Sequence, residues 1–278
     1  MELSSYEQKA AEQIQKWKES RFNADTNDLI HIYDRWLEES MALLPDDIKE
    51  KFFNQLDQWL FYIYSAVQKS QLQTERIENI LSEAKTINSE IEYVEDLKKI
   101  PLEYLDFLAN KQITNHELLS AVQGGISASG NSLLLGADLP LIAMINLRTV
   151  QLIGAAYGFD PSKPAEMMVA LKVFYSATLP KRFQQAAWEG LMDEVKDISH
   201  PYLYEGDERI IDQAWMTRIL SQILKGLLIL LFNKRKDKGF SLISILLGAG
   251  VNYSITRRVA AFAKHFYQAR LLEEKFSS

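Results

Sequence analysis

Apolar residues recur along most of this chain at intervals of three and four, and no segment sustains an alternation of two. That period sets one face of a helix toward a core, so the pattern predicts helices throughout. Tyr6, Ala10, Ile14 and Trp17 form a first stripe, and Leu29, Tyr33, Trp36 and Leu37 a second. Pro45 ends the second helix, because proline lacks an N–H and clashes with the preceding turn. Asp46 and Asp47 follow where a new helix favours negative charge. The stripe after them holds Phe52, Phe53, Leu56, Trp59, Leu60, Ile63 and Tyr64. Residues 68–89 are polar, with Ile77, Ile80 and Leu81 as a thin stripe, and read as a connecting helix or a mobile linker. Pro101 restarts the chain, and Leu102, Leu105 and Leu108 predict a short amphipathic turn.

Thr114-Asn115-His116-Glu117 has the form of a capping box and predicts a fresh helix start, with Leu118, Leu119 and Val122 on its apolar side. A run of small residues, 124–130, comes next, then an apolar segment over 133–147. Asp160-Pro161 reads as an N-cap followed by proline at the first helical position. Pro180 separates a helix ending near Thr178 from one carrying Phe183, Ala187 and Leu191. Residues 200–207 read as a loop, and the helical pattern resumes at Arg209 and runs to Phe276 with one break. The expected architecture is all-α: a multi-helix globular bundle with an apolar C-terminal helical hairpin. Two regions are expected, an acidic helical one over 1–110 and a helical core over 114–276.

Charge sharpens the hairpin. Residues 213–278 hold 11 Lys or Arg against Asp237, Glu273 and Glu274, a net of +8. The whole chain carries −6, so the first 212 residues carry −14. Within the basic third, residues 219–232 and 240–251 are nearly all apolar, and Lys234, Arg235, Lys236 and Lys238 lie between them. Two apolar rods joined by a cationic loop suit an anionic phospholipid surface, where each cation contributes about 1 kcal/mol. A buried hairpin with a hydrated tip gives the same pattern. Leu230, Leu231, Phe240 and Ile243 are the apolar residues expected at such a contact.

At 278 residues, 47% hydrophobic, the chain can bury a large core. The absence of Cys excludes disulfides, thiolate catalysis and zinc–thiolate sites. The acidic balance argues against nucleic acid as a partner. The opening MELSSYEQKA is polar, without the cationic start and apolar run of a secretory signal. The longest apolar segments are interrupted by Asp138 in one and by Gln222 and Lys225 in the other, so a soluble or peripheral protein is expected.

Catalytic motifs are incomplete. Gly125 to Ser132 imitates a phosphate loop, but Asn131 stands where lysine should reach the phosphates. His31, His116, His200 and His265 are scattered and read as surface or cap residues, so neither a metal nor a cofactor is expected. Polar residues inside apolar segments are the remaining candidates. If Asp138, Arg148, Asn252 and Arg270 converge, they form a buried polar cluster whose charges must be paired.

Several short motifs occur in order: Gly124-Gly125 with Gly130, Gly136-Ala137-Asp138-Leu139-Pro140, Leu147-Arg148, Ala155-Ala156-Tyr157-Gly158-Phe159-Asp160, and Gly248-Ala249-Gly250-Val251-Asn252-Tyr253 followed by Phe262 and Arg270-Leu271-Leu272. Over residues 114–274 they resemble the bacterial EcsC family. Ser241 departs from it, standing where a proline is expected. The resemblance implies a helical bacterial protein with an accessory role near a membrane, since the family's name comes from a gene neighbouring an ABC transporter. It places any shared site at Asp138, Arg148, Asp160, Asn252 and Arg270. The expected function is non-enzymatic binding, peripheral to the cytoplasmic membrane, with an anionic lipid surface or ABC transporter subunits as partner. The alternatives are a hydrolase acting on a lipid or peptide through those five residues, and a scaffold for a protein partner.

Overall fold

The computed structural model describes residues 3–22, 29–68, 71–127, 135–198, 213–236 and 249–277. They form α1 (Ser5–Arg21), α2 (Leu29–Ala42), α3 (Asp46–Gln68), α4 (Gln71–Lys85), a 3-10 turn (Val94–Lys99), α5 (Leu102–Ser127), α6 (Leu135–Ala156), α7 (Pro164–Thr178), α8 (Lys181–Ile198), α9 (Gln213–Lys236) and α10 (Ala249–Ser277). No strand occurs among the described residues. The predicted breaks at Pro45, Pro101 and Pro180 all stand, because each proline denies the preceding turn a donor. The polar stretch after residue 70 is helical, and its thin stripe suffices: Ile80 and Ala84 are buried.

Two local expectations fail for identifiable reasons. The Thr114 capping box is not a helix start, because α5 runs through it. Leu105, Leu108, Ala109, Gln112, His116 and Ser120 make one unbroken buried stripe, and Thr114 faces outward and donates to the Asn110 carbonyl instead. The expected boundary between residues 110 and 114 therefore falls inside a helix. Asp160-Pro161 does not open α7. Asp160 accepts from the Ser162 amide in a turn, and Pro164 takes the first helical position. α6 starts at Leu135 and carries Asp138 and Pro140 within it.

Helices α5, α6 and α10 form the centre. α10 is buried on most sides, with Ile255, Val259, Phe262, Phe266, Tyr267 and Leu271 in the core. The N-terminal helices share that core rather than forming one of their own. Trp17 on α1 stacks on His265 at 4.5 Å and 8° and meets Phe262 and Trp188 edge-on or tilted at 5.8 and 5.5 Å. Each such pair contributes about 1 kcal/mol beyond its buried area.

The end of α6 is shaped by a glycine. The Phe159 amide donates to the Gly154 carbonyl and the Gly158 amide to the Ala155 carbonyl, with Gly158 at φ +85°. This cap needs the left-handed conformation, which costs a residue with a Cβ. A Cβ there would also sit 2.5 Å from Lys98 Cγ.

Candidate functional site

Of the five residues singled out for a shared site, two lie at one end of the central helices and two toward the other. At the first end α6, the loop after it and α10 converge. Arg270 is buried and grips Glu166 through two parallel bonds of 2.6 and 2.7 Å. Its guanidinium lies 4.0 Å from the centre of the Phe159 ring, and Lys98 Nζ lies 4.2 Å from the same ring. Lys98 also bonds Glu274 at 2.5 Å. Phe159 thus has two cations against its ring, each held by a carboxylate. Asp160 is occupied by the Ser162 amide.

One turn deeper is a second lock that sequence reasoning missed. Asp106 on α5 is buried and accepts from Tyr6 at 2.8 Å, Tyr157 at 2.5 Å and Gln268 at 3.0 Å. A single carboxylate therefore ties α1, α5, the end of α6 and α10. Burial, then the bond to Asp106, push the Tyr6 phenol up to about 12. Tyr157 is raised well above the ordinary phenol value, by burial first and by the Asp106 charge second. The signal was present: Asp106 interrupts the apolar run from Leu105 to Ala109. The motif Ala155 to Asp160 reads, in three dimensions, as the residues that close this end of the bundle.

Toward the other end Arg148 and Asn252 have different surroundings. The Arg76 guanidinium on α4 donates to His116 Nε2 at 2.9 Å, and His116 Nδ1 lies 3.0 Å from Thr149 Oγ1. Thr149 in turn donates to the Ile145 carbonyl at 2.7 Å. Because Arg76 can only donate, His116 must accept at Nε2 and donate at Nδ1. The chain of bonds therefore requires the neutral imidazole. Burial, reinforced by the Arg76 charge, holds His116 down at about 4. Arg148, one residue before Thr149, is also lowered, by burial and then by Arg76. Neither Arg76 nor Arg148 has a carboxylate partner among the described residues, and Phe61 and Tyr62 are exposed on α3. Arg76 came from the stretch read as a connector, and His116 was read as a cap residue.

Asn252 is buried on α10, and neither its side-chain nitrogen nor its side-chain oxygen has a partner among the described residues. One turn on, Thr256 bonds Ser120 of α5 at 2.7 Å. The side chain of Asp138 lies outside the described residues. Asp160 and Arg270 are thus committed to the first end and do not join Arg148 or Asn252. No group of three His, Asp or Glu that could hold a metal occurs among the described residues.

The neutral His116 has a consequence for pH. Its folded value is depressed, so the unfolded chain takes up a proton first as pH falls below about 6.5. Its contribution to stability is full above that value and is lost as pH falls toward about 4. We expect wild-type protein to lose up to about 3 kcal/mol through this group between pH 7 and pH 4. Urea titrations across that range should show a shallower fall for His116→Gln. An identical pH slope in the variant would rule His116 out as the source.

In the basic third, α9 carries the expected apolar residues. Leu231 is buried in the core and Leu230 is half-buried, so Leu231 packs inward and is not a free contact. Lys234, Arg235 and Lys236 are the last residues of α9, with side chains outside the described set. Lys238, Phe240 and Ile243 lie outside the described residues altogether. Among the described residues, two helices are long and apolar enough, by length and composition, to cross a membrane: Leu139–Ala156, 89% buried, and Ala214–Phe232, 56% buried.

Comparison with known proteins gives a family. A sequence model described as the EcsC protein family matches residues 8–272, which includes the N-terminal helices. The chain is similar to an uncharacterized protein YdbA of Bacillus subtilis, 30% identical over 131 residues that make up 47% of each chain. It is also similar to Protein EcsC of Bacillus subtilis, 23% identical over 208 residues, or 72% of this chain and 78% of the relative. The first alignment thus spans about half of that relative's length. No solved structure matches.

Proposed function

Since the chain belongs to the EcsC protein family, we propose that it is a non-enzymatic accessory protein that docks at the cytoplasmic face of the cell membrane, on anionic lipid or on the subunits of an ABC transporter. The observation that carries this reading is the character of α9. Its apolar window Ala214–Phe232 is only 56% buried, against 89% for the comparable window of α6. The helix then ends in Lys234, Arg235 and Lys236. Half-buried Leu230 and Phe232 beside a helix end made of cations match an interface that is apolar below and anionic above. The surrounding charge distribution favours the same orientation, because an acidic body is repelled by an anionic leaflet and a basic third is attracted to it.

The role is binding, not turnover. Lys234, Arg235, Lys236 and Lys238 contact phosphates, while Leu230, Phe240 and Ile243 supply apolar adhesion. A hydrolase would need Asp138 or Asp160 to meet Arg148, Asn252 or Arg270; Asp160 instead accepts from the Ser162 amide and Arg270 grips Glu166, while the Asp138 side chain lies outside the described residues.

Sedimentation with vesicles tests this. The protein should pellet with phosphatidylglycerol-containing vesicles at low salt and remain in solution at about 0.5 M salt, where screening is nearly complete beyond a few ångströms. Converting Lys234, Arg235, Lys236 and Lys238 to Ser should cost at least tenfold in partition while leaving the unfolding midpoint in place. Undiminished binding by that variant rejects the lipid assignment. Retention by transporter-containing but not by plain vesicles assigns the partner to protein.

A further inference from the structure

A cleft of about 440 Å³ lies between α7, α8 and α9, away from the cationic end of α9. That size is within the range of small-molecule sites. One wall is apolar and aromatic, with Phe183 and Leu191 on α8 and Trp215 and Ile219 on α9. Three observations there point to a ligand.

The first is Gly190, in the middle of α8. A Cβ built on it meets nothing within 4 Å. Glycine inside a helix costs about 1 kcal/mol relative to alanine, and here no neighbour demands it. It is exposed at the rim of the cleft, and its missing side chain leaves the mouth open there. The second is Gln222 on α9. Its Oε1 is buried against the cleft without a hydrogen-bond partner among the described residues. A buried acceptor left unpaired costs about 1–3 kcal/mol, so a donor is wanted at that point. The third is Arg218, one turn before Gln222 on the same wall. It is exposed and has no ion pair among the described residues, whereas Lys172 across the cleft is already paired with Glu194. The free charge at the mouth is therefore positive.

These three features specify a molecule. It needs an apolar tail to run past Gly190, a negative oxygen for Arg218 and, within one helical turn of it, an O–H to donate to Gln222 Oε1. A fatty acid has the tail and the charge, but its carboxylate has no donor at neutral pH. We propose that the cleft between α7, α8 and α9 binds a single-chain anionic amphiphile of the lysophospholipid type, whose head group carries both a phosphate and a free hydroxyl. The inference goes beyond surface docking and uses none of the four loop cations.

Isothermal titration of the full chain with myristoyl lysophosphatidylglycerol, below its micelle concentration, tests the assignment. One-to-one saturable binding is expected, with myristate at least fivefold weaker. Gly190→Leu fills the open volume and should weaken binding by at least tenfold. Gly190→Ala, which only begins to enter it, should retain binding and slightly raise the unfolding midpoint, which shows that the helix tolerates a side chain there. Gln222→Leu should lose three- to tenfold for the lysolipid and leave myristate unchanged. Absence of saturable binding, equal affinity for the two amphiphiles, or a Gly190→Leu variant that binds like wild type each overturns the proposal. Vesicle sedimentation by the same Gly190→Leu protein should be normal, so loss of this site and loss of surface docking are read separately.

Discussion

Replacing Arg270 with Met lowers the unfolding midpoint by on the order of 10 °C. The guanidinium is buried, and among the described residues its two bonds to Glu166 are the only compensation its desolvation receives apart from Phe159 and a 3.5 Å approach of Glu274 to Nε. Methionine fills much of the same volume, so packing is nearly conserved. What remains is the Glu166 carboxylate in a site largely closed to water, its partner gone. Breaking a buried pair from one side costs about 3–5 kcal/mol. Removing both charges should be far milder, because the desolvation penalty disappears along with the attraction. Thermal melts of Arg270→Met, Glu166→Met and the double variant therefore form a cycle. The double variant should recover at least half of the single Arg270 loss. Simple additivity of the two singles would mean that the charges are not coupled and that Arg270 acts by packing on Phe159 alone.

The second large effect is at Asp106. Truncation to Ala leaves the hydroxyls of Tyr6 and Tyr157 and the amide of Gln268 without their acceptor. Tyr157 is completely buried and has nowhere to turn. With about 1–3 kcal/mol for each buried group left unsatisfied, a loss of about 4 kcal/mol is expected. Denaturant titration measures it. Asp106→Asn preserves volume but offers an NH2 where two hydroxyls and an amide donate, so it should fall between wild type and Ala. A midpoint within experimental error of wild type for Asp106→Ala would show that water replaces the carboxylate and that the lock is not structural. Because Tyr6 belongs to α1 and Gln268 to α10, the variant should also release the N-terminal helix, read as faster hydrogen exchange over residues 5–21.

Both sites bear on how much was legible in advance. The helical period located most elements, because a helix must bury one face and that requirement repeats every 3.6 residues in the sequence itself. Prolines marked ends for an equally local reason. Thr114 misled because capping residues carry the same side chains as exposed mid-helix positions, and only continuation of the buried stripe on the opposite face distinguishes them. Arg270 was picked as a residue of interest, but Glu166, 104 positions away, carried no mark of its own. His116 looked like a surface cap, but burial, reinforced by Arg76 arriving from another helix, makes it a neutral acceptor. Leu231 was as apolar as Leu230, yet one packs fully inward and its neighbour does not.

Local interactions, then, were written in the residue order: an all-helical chain, its proline-defined breaks, and a basic, apolar final third set against an acidic remainder. Membership of the EcsC family was legible too, because its motifs are short and contiguous. Pairing was decided only when the helices packed. Which cation meets which carboxylate, whether a polar side chain ends satisfied or orphaned, and which helix faces part to leave a cleft beside Gly190 all depend on distances between residues far apart in the chain. No periodicity encodes those distances, and they are set by the way side chains of different helices fill a common interior.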